Sequence, residues 1–249
     1  MNLAKRFEEK VVIITGAAGG IGLATAMRIG LEGGVVVLVD RDSEKLQLAD
    51  DQTKKAGAAK TLVKLCDVSK AEQVEAVIKE TLEACGRIDV IVNNAGRMIS
   101  KKIEEHTLDD WNDVLSVDLL GAFLFIKHGF LHMRPGSTIV NISSIHAVET
   151  TPNVSSYAAA KSGLVSLTRS AALEGKVKGI RVNAILPGAI STAMLWDNPN
   201  VKAGLETIKM DDVGRPEDVA AAIAFLASED SQFIQGATLR VDGGRLASL

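Results

Sequence analysis

Strong charge of either sign is missing from this chain. Its 249 residues carry 28 lysines and arginines against 31 aspartates and glutamates, a net charge of -3, so there is no basic field to recruit nucleic acid or an acidic membrane. Lys54–Lys55 and Lys101–Lys102 are isolated doublets, read as solvated surface. Cysteine is equally scarce. Cys66 and Cys85 form neither a CxxC pair nor a dense framework, which excludes a disulfide scaffold and leaves both as reduced packing residues. No hydrophobic run approaches membrane-spanning length, and the charged start from Met1 to Lys10 lacks a signal-peptide core. A cytoplasmic protein without membrane contact is therefore expected. His128 and His132 share a helical face with no obvious acidic or thiol ligand nearby, which favours structural histidines and no metal. Internal repeats, linkers and low-complexity segments are absent too.

What is present is 47% hydrophobic residues, enough for a large core, set out in a repeating rhythm of strand and helix. Strands are expected at Val11–Thr15, Val35–Val39, Leu62–Cys66, Val90–Val92, Thr138–Ile142, Arg181–Leu186 and Thr238–Val241. Helices are expected over Ile21–Ile29, over Ser43–Ala56 with Ser43 as N-cap, and from Ser69 to Ala84 before a stop at Gly86. Two more run from Leu108 to about Leu131, capped by Thr107 with Asp110 in a capping box, and from Ser155 to Glu174. Several strands are apolar throughout rather than alternating, the pattern of strands covered on both faces. That implies an α/β protein: a parallel sheet with helices on either side, in one doubly wound domain spanning 1–249. The Leu108–Leu131 helix carries more apolar surface than one sheet contact requires, so it has either extra core to fill or a partner to meet.

The chemistry-bearing motifs sit at the ends of these strands. Thr15-Gly-Ala-Ala-Gly-Gly-Ile-Gly22 lies between the first strand and first helix, where backbone N–H groups and the helix dipole can receive a pyrophosphate. Gly16, Gly20 and Gly22 would let the backbone approach it closely. Asp40 ends the second strand, at about the spacing for an acid that accepts bonds from an adenosine ribose. A carboxylate there repels a 2′-phosphate, so NAD is favoured over NADP, while Arg41 beside it pulls the other way. Tyr157 and Lys161 are four apart, so on a helix the ammonium stacks over the phenol and favours its ionised form. Ser144 follows the apolar run ending at Ile142, where a buried strand stops and a site can open.

Taken in order, these motifs resemble the short-chain dehydrogenase/reductase family nearly end to end. They are TGAAGGIG at 15–22, Asp67-Val68, Asn93-Asn-Ala-Gly96, Ser144, Tyr157-xxx-Lys161, Pro187-Gly188 with Thr192, and Gly214-Arg-Pro216 through Asp242-Gly-Gly244. The resemblance implies a single Rossmann domain with a seven-stranded parallel sheet in order 3-2-1-4-5-6-7. It implies that Gly16, Gly20, Ile21, Gly22, Asp40 and Arg41 bind the cofactor's phosphate and adenosine side, and that Asp67 and Val68 hold the adenine. Asn93, Ala95 and Gly96 would line the cofactor, with Pro187, Gly188, Ile190 and Thr192 placing the nicotinamide. Ser144 would bond the substrate oxygen, Tyr157 would exchange its proton, and Lys161 would orient the ribose and stabilise the tyrosinate. Relatives usually carry asparagine where this chain has Asp118, holding a relay water by its backbone. The extra carboxylate is expected to pair with Lys161 and weaken its pull on Tyr157.

By the same resemblance, substrate determinants are Met98, His146, Met194, Leu195 and Trp196, mostly apolar with one imidazole. They suit a neutral secondary alcohol or ketone, cyclic or sugar-like. The segment from Thr192 to Gly214 is short, which implies a small lid. Two other readings stay open: a 3-oxoacyl thioester reductase, opposed by Asp40 and by Leu173 where carrier-protein enzymes present arginine, and an NAD-sensing protein without turnover. Relatives form tetramers through the fourth and fifth helices and the last strand, so a homo-oligomer is expected.

Overall fold

The computed structural model describes residues 5–247. The first four residues of the charged start, and Ser248 and Leu249 at the end of the expected 1–249 domain, lie outside the described residues. Seven strands form one parallel sheet in the order 3-2-1-4-5-6-7, as the resemblance implied. They are β1 Val11–Thr15, β2 Val35–Asp40, β3 Lys60–Leu65, β4 Val90–Asn93, β5 Thr138–Ile142, β6 Arg181–Pro187 and β7 Thr238–Val241. The helices between them are α1 Gly20–Leu31, α2 Ser43–Lys55, α3 Ala71–Cys85, α4 Leu108–His132 and α5 Ser155–Lys178. After β6 come two one-turn helices, α6 Ala193–Trp196 and α7 Pro199–Lys202, then α8 Pro216–Ala227.

Alternation along each strand sends neighbouring side chains to opposite faces. Val12 and Ile14 of β1 join Ile29 of α1 and Ile223 of α8 on one face, while Val11 and Ile13 join Ile78 of α3 and Phe125 of α4 on the other. β1 is buried at every position, which is why its sequence reads as an unbroken apolar run. The edge strand β3 is covered less, and Val63 and Leu65 stand exposed.

Several local expectations shift. The N-cap of α2 is Asp42, whose carboxylate accepts from the Lys45 N–H, because Ser43 already has helical geometry. The third helix starts at Ala71 rather than Ser69, since the Ser69 N–H and hydroxyl are both turned back onto Asp67. Helix α8 was not anticipated. Its opening Pro216 is a good first-turn residue, and the Asp218 carboxylate receives the Arg215 N–H. The predicted box at Thr107 and Asp110 is present in both directions. By length and composition alone α4 could cross a membrane, with a mean hydropathy of 1.7, so the absence of any such run does not hold. Its Val114, Ala122, Phe125 and Ile126 are instead buried in this domain, while Leu120, Phe123 and Leu131 are exposed. Cys66 and Cys85 are unpaired; burial and the nearby Asp67 push the Cys66 thiol up to about 12.

The N-terminal segment is tied down by charge. Glu32 at the end of α1 is fully buried and receives Arg6 through bonds of 2.6 and 2.8 Å, with Arg28 on the same carboxylate. Burial pushes its carboxyl up, but the two guanidinium groups outweigh burial and hold it below 4.5. A depressed carboxylate stabilises the fold at neutral pH, and that contribution is lost as pH falls through the carboxylate range. Glu32→Ala should cost about 2–3 kcal/mol at pH 7, below the full cost of an orphaned buried charge because both arginines reach water. Melting curves of parent and variant at pH 7 and pH 4 should converge toward the acidic end; a constant difference would contradict the assignment.

Candidate active site

A cavity of about 630 Å³ opens at the carboxyl ends of β1, β2, β4, β5 and β6, where a doubly wound sheet leaves a crevice. Its floor is the turn after β1. Gly16 has a φ of +64°, and a Cβ there would meet the Ala95 backbone at 2.9 Å. Gly22 does not line the cavity: a Cβ on it would fall 2.1 Å from the Gly16 carbonyl, so it is glycine for close packing of helix on turn. Thr15 stitches this turn to the end of β4, its hydroxyl accepting the N–H groups of Asn94 and Ala95 at 2.9 and 3.0 Å. Asn94 returns the contact, its amide donating to the Thr15 and Gly16 carbonyls. Sequence reasoning passed over Asn94 as a site residue, although it sits inside the Asn93–Gly96 motif.

Helix α1 has Gly19 at its N-cap and so no side-chain cap, and Gly19 faces open space in the cavity wall. Its first-turn N–H groups and dipole are thus left for an anion, and the bare glycine surface allows close approach. These residues fit a dinucleotide pyrophosphate. At the end of the cavity beyond β2, Asp40 and Arg41 line it, together with Asp42 and Lys45. The Asp40 carboxylate accepts from the Ala18 N–H at 3.0 Å and from the N–H groups of Arg41 and Asp42, so it is oriented before any ligand arrives.

Four predicted residues come together behind the opposite wall. The 24-residue helix α5 carries Tyr157 and Lys161 one turn apart, with the Lys161 ammonium 5.5 Å from the Tyr157 ring centre. Ser144 leaves β5 beside them; Tyr157, Ser144 and Lys161 all line the cavity and are all buried. The Lys161 ammonium donates to the Ile142 carbonyl at 3.0 Å and lies 3.1 Å from the Asp118 carboxylate, itself 1% exposed. Asp118 sits in a π-helical turn, Ser116–Leu120, within α4, and its other oxygen accepts the Arg97 N–H at 2.8 Å. Gly96 packs against this pair; a Cβ there would press on the Asp118 oxygen at 3.1 Å and the Lys161 nitrogen at 3.2 Å.

The electrostatics correct one expectation. Lys161 does pull the Tyr157 phenol down, but burial outweighs it and Asp118 adds to burial, so the phenol sits above its usual 10. Burial acts on the Lys161 ammonium in the opposite sense, yet Asp118 and Tyr157 prevail and hold it protonated above 10.5. The expected pairing of Asp118 with Lys161 is therefore present, and it opposes ionisation of Tyr157.

Several predicted residues lie outside the cavity lining. Asn93 is buried and donates to Asn141 at 2.8 Å. Asp67 is occupied by Ser69, and Val68 is buried beneath Gly121, where a Cβ would meet it at 2.9 Å. Trp196 donates instead to the Ser191 hydroxyl at 3.1 Å. Met98, His146, Met194 and Leu195 do line it, as do Ile21, Ala95, Pro187, Gly188, Ile190 and Thr192. The His146 ring stands edge-on to Tyr157, 5.8 Å between centres. Asn198, Glu206 and Arg245 complete this end and carried no local motif to mark them. The short lid is fastened to both neighbouring loops: Asn200 donates to the Pro152 carbonyl and accepts from Asn153, and Ser100 bonds Asn198. His128 and His132 stack on each other at 6.3 Å, and among the described residues no cluster of three metal-type ligands exists.

A parallel doubly wound sheet, an uncapped glycine turn and a buried serine–tyrosine–lysine set on one cavity define an oxidoreductase of the dehydrogenase/reductase class, acting on hydroxyl and ketone groups. A family profile described as "Enoyl-(Acyl carrier protein) reductase" matches residues 16–245, and the chain belongs to the short-chain dehydrogenase/reductase family. It is 39% identical over 243 residues to 3beta-hydroxysteroid dehydrogenase 1 of Eggerthella lenta, covering 94% of this chain and 93% of that one. The crystal structure of levodione reductase superposes with a TM-score of 0.92 at 38% identity, covering 98% and 100% of the two chains. That of carveol dehydrogenase from Mycobacterium avium, in complex with NAD, gives 0.89 at 30% identity, covering 98% and 99%.

Tyr157 is the one tyrosine of the chain, so tyrosinate absorbance reports it alone. The parent should ionise above pH 10, and Asp118→Asn should lower that midpoint, since it removes an anion that favours the neutral phenol. Superimposable titrations would refute the coupling.

Proposed function

We propose that the protein is an NAD-dependent oxidoreductase that interconverts a secondary alcohol and its ketone, with Tyr157 as general acid and base. The observation that carries this is the opening of the buried Ser144, Tyr157 and Lys161 onto the same cavity as the uncapped start of α1. Bound nicotinamide supplies the hydride acceptor or donor. The α1 N-terminus and the Gly16–Gly20 turn hold the pyrophosphate, and Asp40 receives the adenosine ribose and repels a 2′-phosphate. Ser144 donates to the substrate oxygen and fixes it against the Tyr157 hydroxyl, which passes or takes the proton. Lys161, held protonated by Asp118 and the Ile142 carbonyl, stabilises the phenolate as it forms and orients the nicotinamide ribose. Met98, Met194 and Leu195 exclude water around the reacting carbon.

The second reading, a 3-oxoacyl thioester reductase using NADPH, draws on two observations: the acyl-carrier description of the matching family profile, and the Arg41 and Lys45 side chains at the adenosine edge. Asp40 and the exposed Leu173 on α5 weigh against it. The same proposal places cofactor and substrate sites in one domain, 1–249. It includes a cytoplasmic location, in keeping with two unpaired cysteines. It also includes assembly of copies as a tetramer, for which the exposed Phe123, Leu131, Leu173 and Val177 of α4 and α5 offer apolar surface.

Steady-state rates on secondary alcohols should fall by about 10²–10⁴-fold in Tyr157→Phe, with cofactor binding retained by calorimetry. NAD should exceed NADP in kcat/KM by about tenfold or more, a gap that Asp40→Asn narrows by removing the repelling charge. Turnover with NADPH alone on acyl thioesters would favour the second reading.

A further inference from the structure

The substrate end of the cavity holds a charged pair that the chemistry above does not use. The Arg245 guanidinium donates to the Glu206 carboxylate at 2.7 Å, with the glutamate side chain 8% and the arginine 28% exposed. Both line the cavity that holds Tyr157 and His146. They come from segments thirty-nine residues apart in sequence, brought together by two separate devices. Asp242 organises the turn after β7, its carboxylate accepting the N–H groups of Gly244 and Leu246 and so aiming Arg245 inward. That turn lies against the end of β6, where a Cβ on Gly188 would meet the Asp242 backbone at 2.8 Å. Glu206 is fixed through its own N–H, which donates to the Asn200 carbonyl in the lid.

Keeping a carboxylate and a guanidinium in a mostly apolar cavity costs desolvation. A purely apolar substrate would bury the pair further without offering it a bond. A carboxylate or phosphate on the substrate would meet Arg245 but also face Glu206. A hydroxyl both donates and accepts, and it matches the pair's alternation of acceptor and donor. His146 belongs to the same cluster. Glu206 and Arg245 both act on its ring electrostatically, while burial keeps the imidazole below its ordinary pKa and hence neutral at pH 7. Its Nδ1 is engaged with Thr150 at 3.2 Å, and its ring stands 5.8 Å from that of Tyr157. Through His146 the cluster adjoins Tyr157, so a substrate held against that tyrosine shares the cavity with Glu206 and Arg245.

Resting on the alcohol–ketone reading above, we infer that Glu206, held by Arg245, is a specificity determinant that accepts the second hydroxyl of a vicinal diol. The natural substrate class is then a vicinal diol, oxidised to its α-hydroxy ketone, or the reverse. Two hydrogens leave the carbinol, one as hydride to NAD and one as a proton through Tyr157; the second hydroxyl remains bound to Glu206 unchanged.

The test compares cis-1,2-cyclohexanediol with cyclohexanol, alike in ring size, with NAD and with the parent, Glu206→Leu and Glu206→Gln. The parent should favour the diol in kcat/KM by about tenfold or more, the worth of one hydrogen bond to a charged group. That ratio should collapse toward one in Glu206→Leu and recover partly in Glu206→Gln, which keeps an acceptor. Calorimetry of the diol against the protein with NADH, which cannot turn it over, should reveal the same loss of affinity in Glu206→Leu. Melting curves verify that each variant is folded. A parent ratio near one, or a ratio unchanged in Glu206→Leu while both rates fall, would overturn the inference and leave the alcohol–ketone reading standing. Turnover of neither alcohol, with cofactor bound, would bring down both.

Discussion

The buried ion pair between Lys161 and Asp118 is the contact around which the site is arranged. It joins three elements that are far apart in sequence: α4 through Asp118, α5 through Lys161, and the end of β5 through the Ile142 carbonyl that shares the ammonium. Breaking a pair this dry by removing one partner leaves an uncompensated charge, so both side chains are held in one geometry. The chain pays for that geometry locally. Asp118 lies in a π-helical turn of α4, and Gly96 has no side chain where one would strike both members of the pair. Tyr157 is positioned in turn, one helical turn from a lysine that cannot swing away.

This pair acts on the tyrosine in two directions. The ammonium favours the phenolate; the carboxylate behind it, together with burial, favours the phenol. The balance leaves a proton donor at neutral pH whose ionisation is favoured by the nearby charge of Lys161 and by the Ser144 hydroxyl. A neutral residue at 118 would leave burial alone to oppose the ammonium's pull. Asp118 thus sets how strongly the site favours the protonated tyrosine, and the same carboxylate holds the Lys161 ammonium charged against burial.

The two ends of the cavity solve different problems with different materials. At the cofactor end, backbone does the work: an uncapped helix start, glycines at 16, 19 and 20, and a turn bound to β4 through Thr15 and Asn94. Backbone N–H groups are suited to a phosphate because they are fixed and carry no side chain to hold it off. At the substrate end side chains decide, and they come from the loops after β4, β5, β6 and β7. The loops after β4, β5 and β6 are fastened to one another by Asn198 and Asn200, so the lid's position follows from contacts among segments rather than from any one of them.

The apolar runs, the glycine turn and the one-turn spacing of Tyr157 and Lys161 are local patterns, and they were enough to determine a parallel α/β sheet with a dinucleotide cradle and a serine–tyrosine–lysine set. Strand order came from the family resemblance and not from the runs themselves. Helix α8 was missed because its alanine-rich stretch showed no boundary strong enough to announce it beyond Pro216. Ser43 opens α2 as expected but is not its cap, because Asp42 before it takes that bond, and Ser69 does not start a helix because it is turned back onto Asp67 two residues earlier. Only the tertiary structure decided that burial and Asp118 lift the tyrosine, that Val68 and Asn93 turn away from the cavity, and that Glu206 and Arg245 meet inside it. Each of these depends on how deeply a group is buried and on charges brought from distant segments. Coulomb energies and desolvation vary with distance and depth in three dimensions, and neither can be read from spacing along a chain.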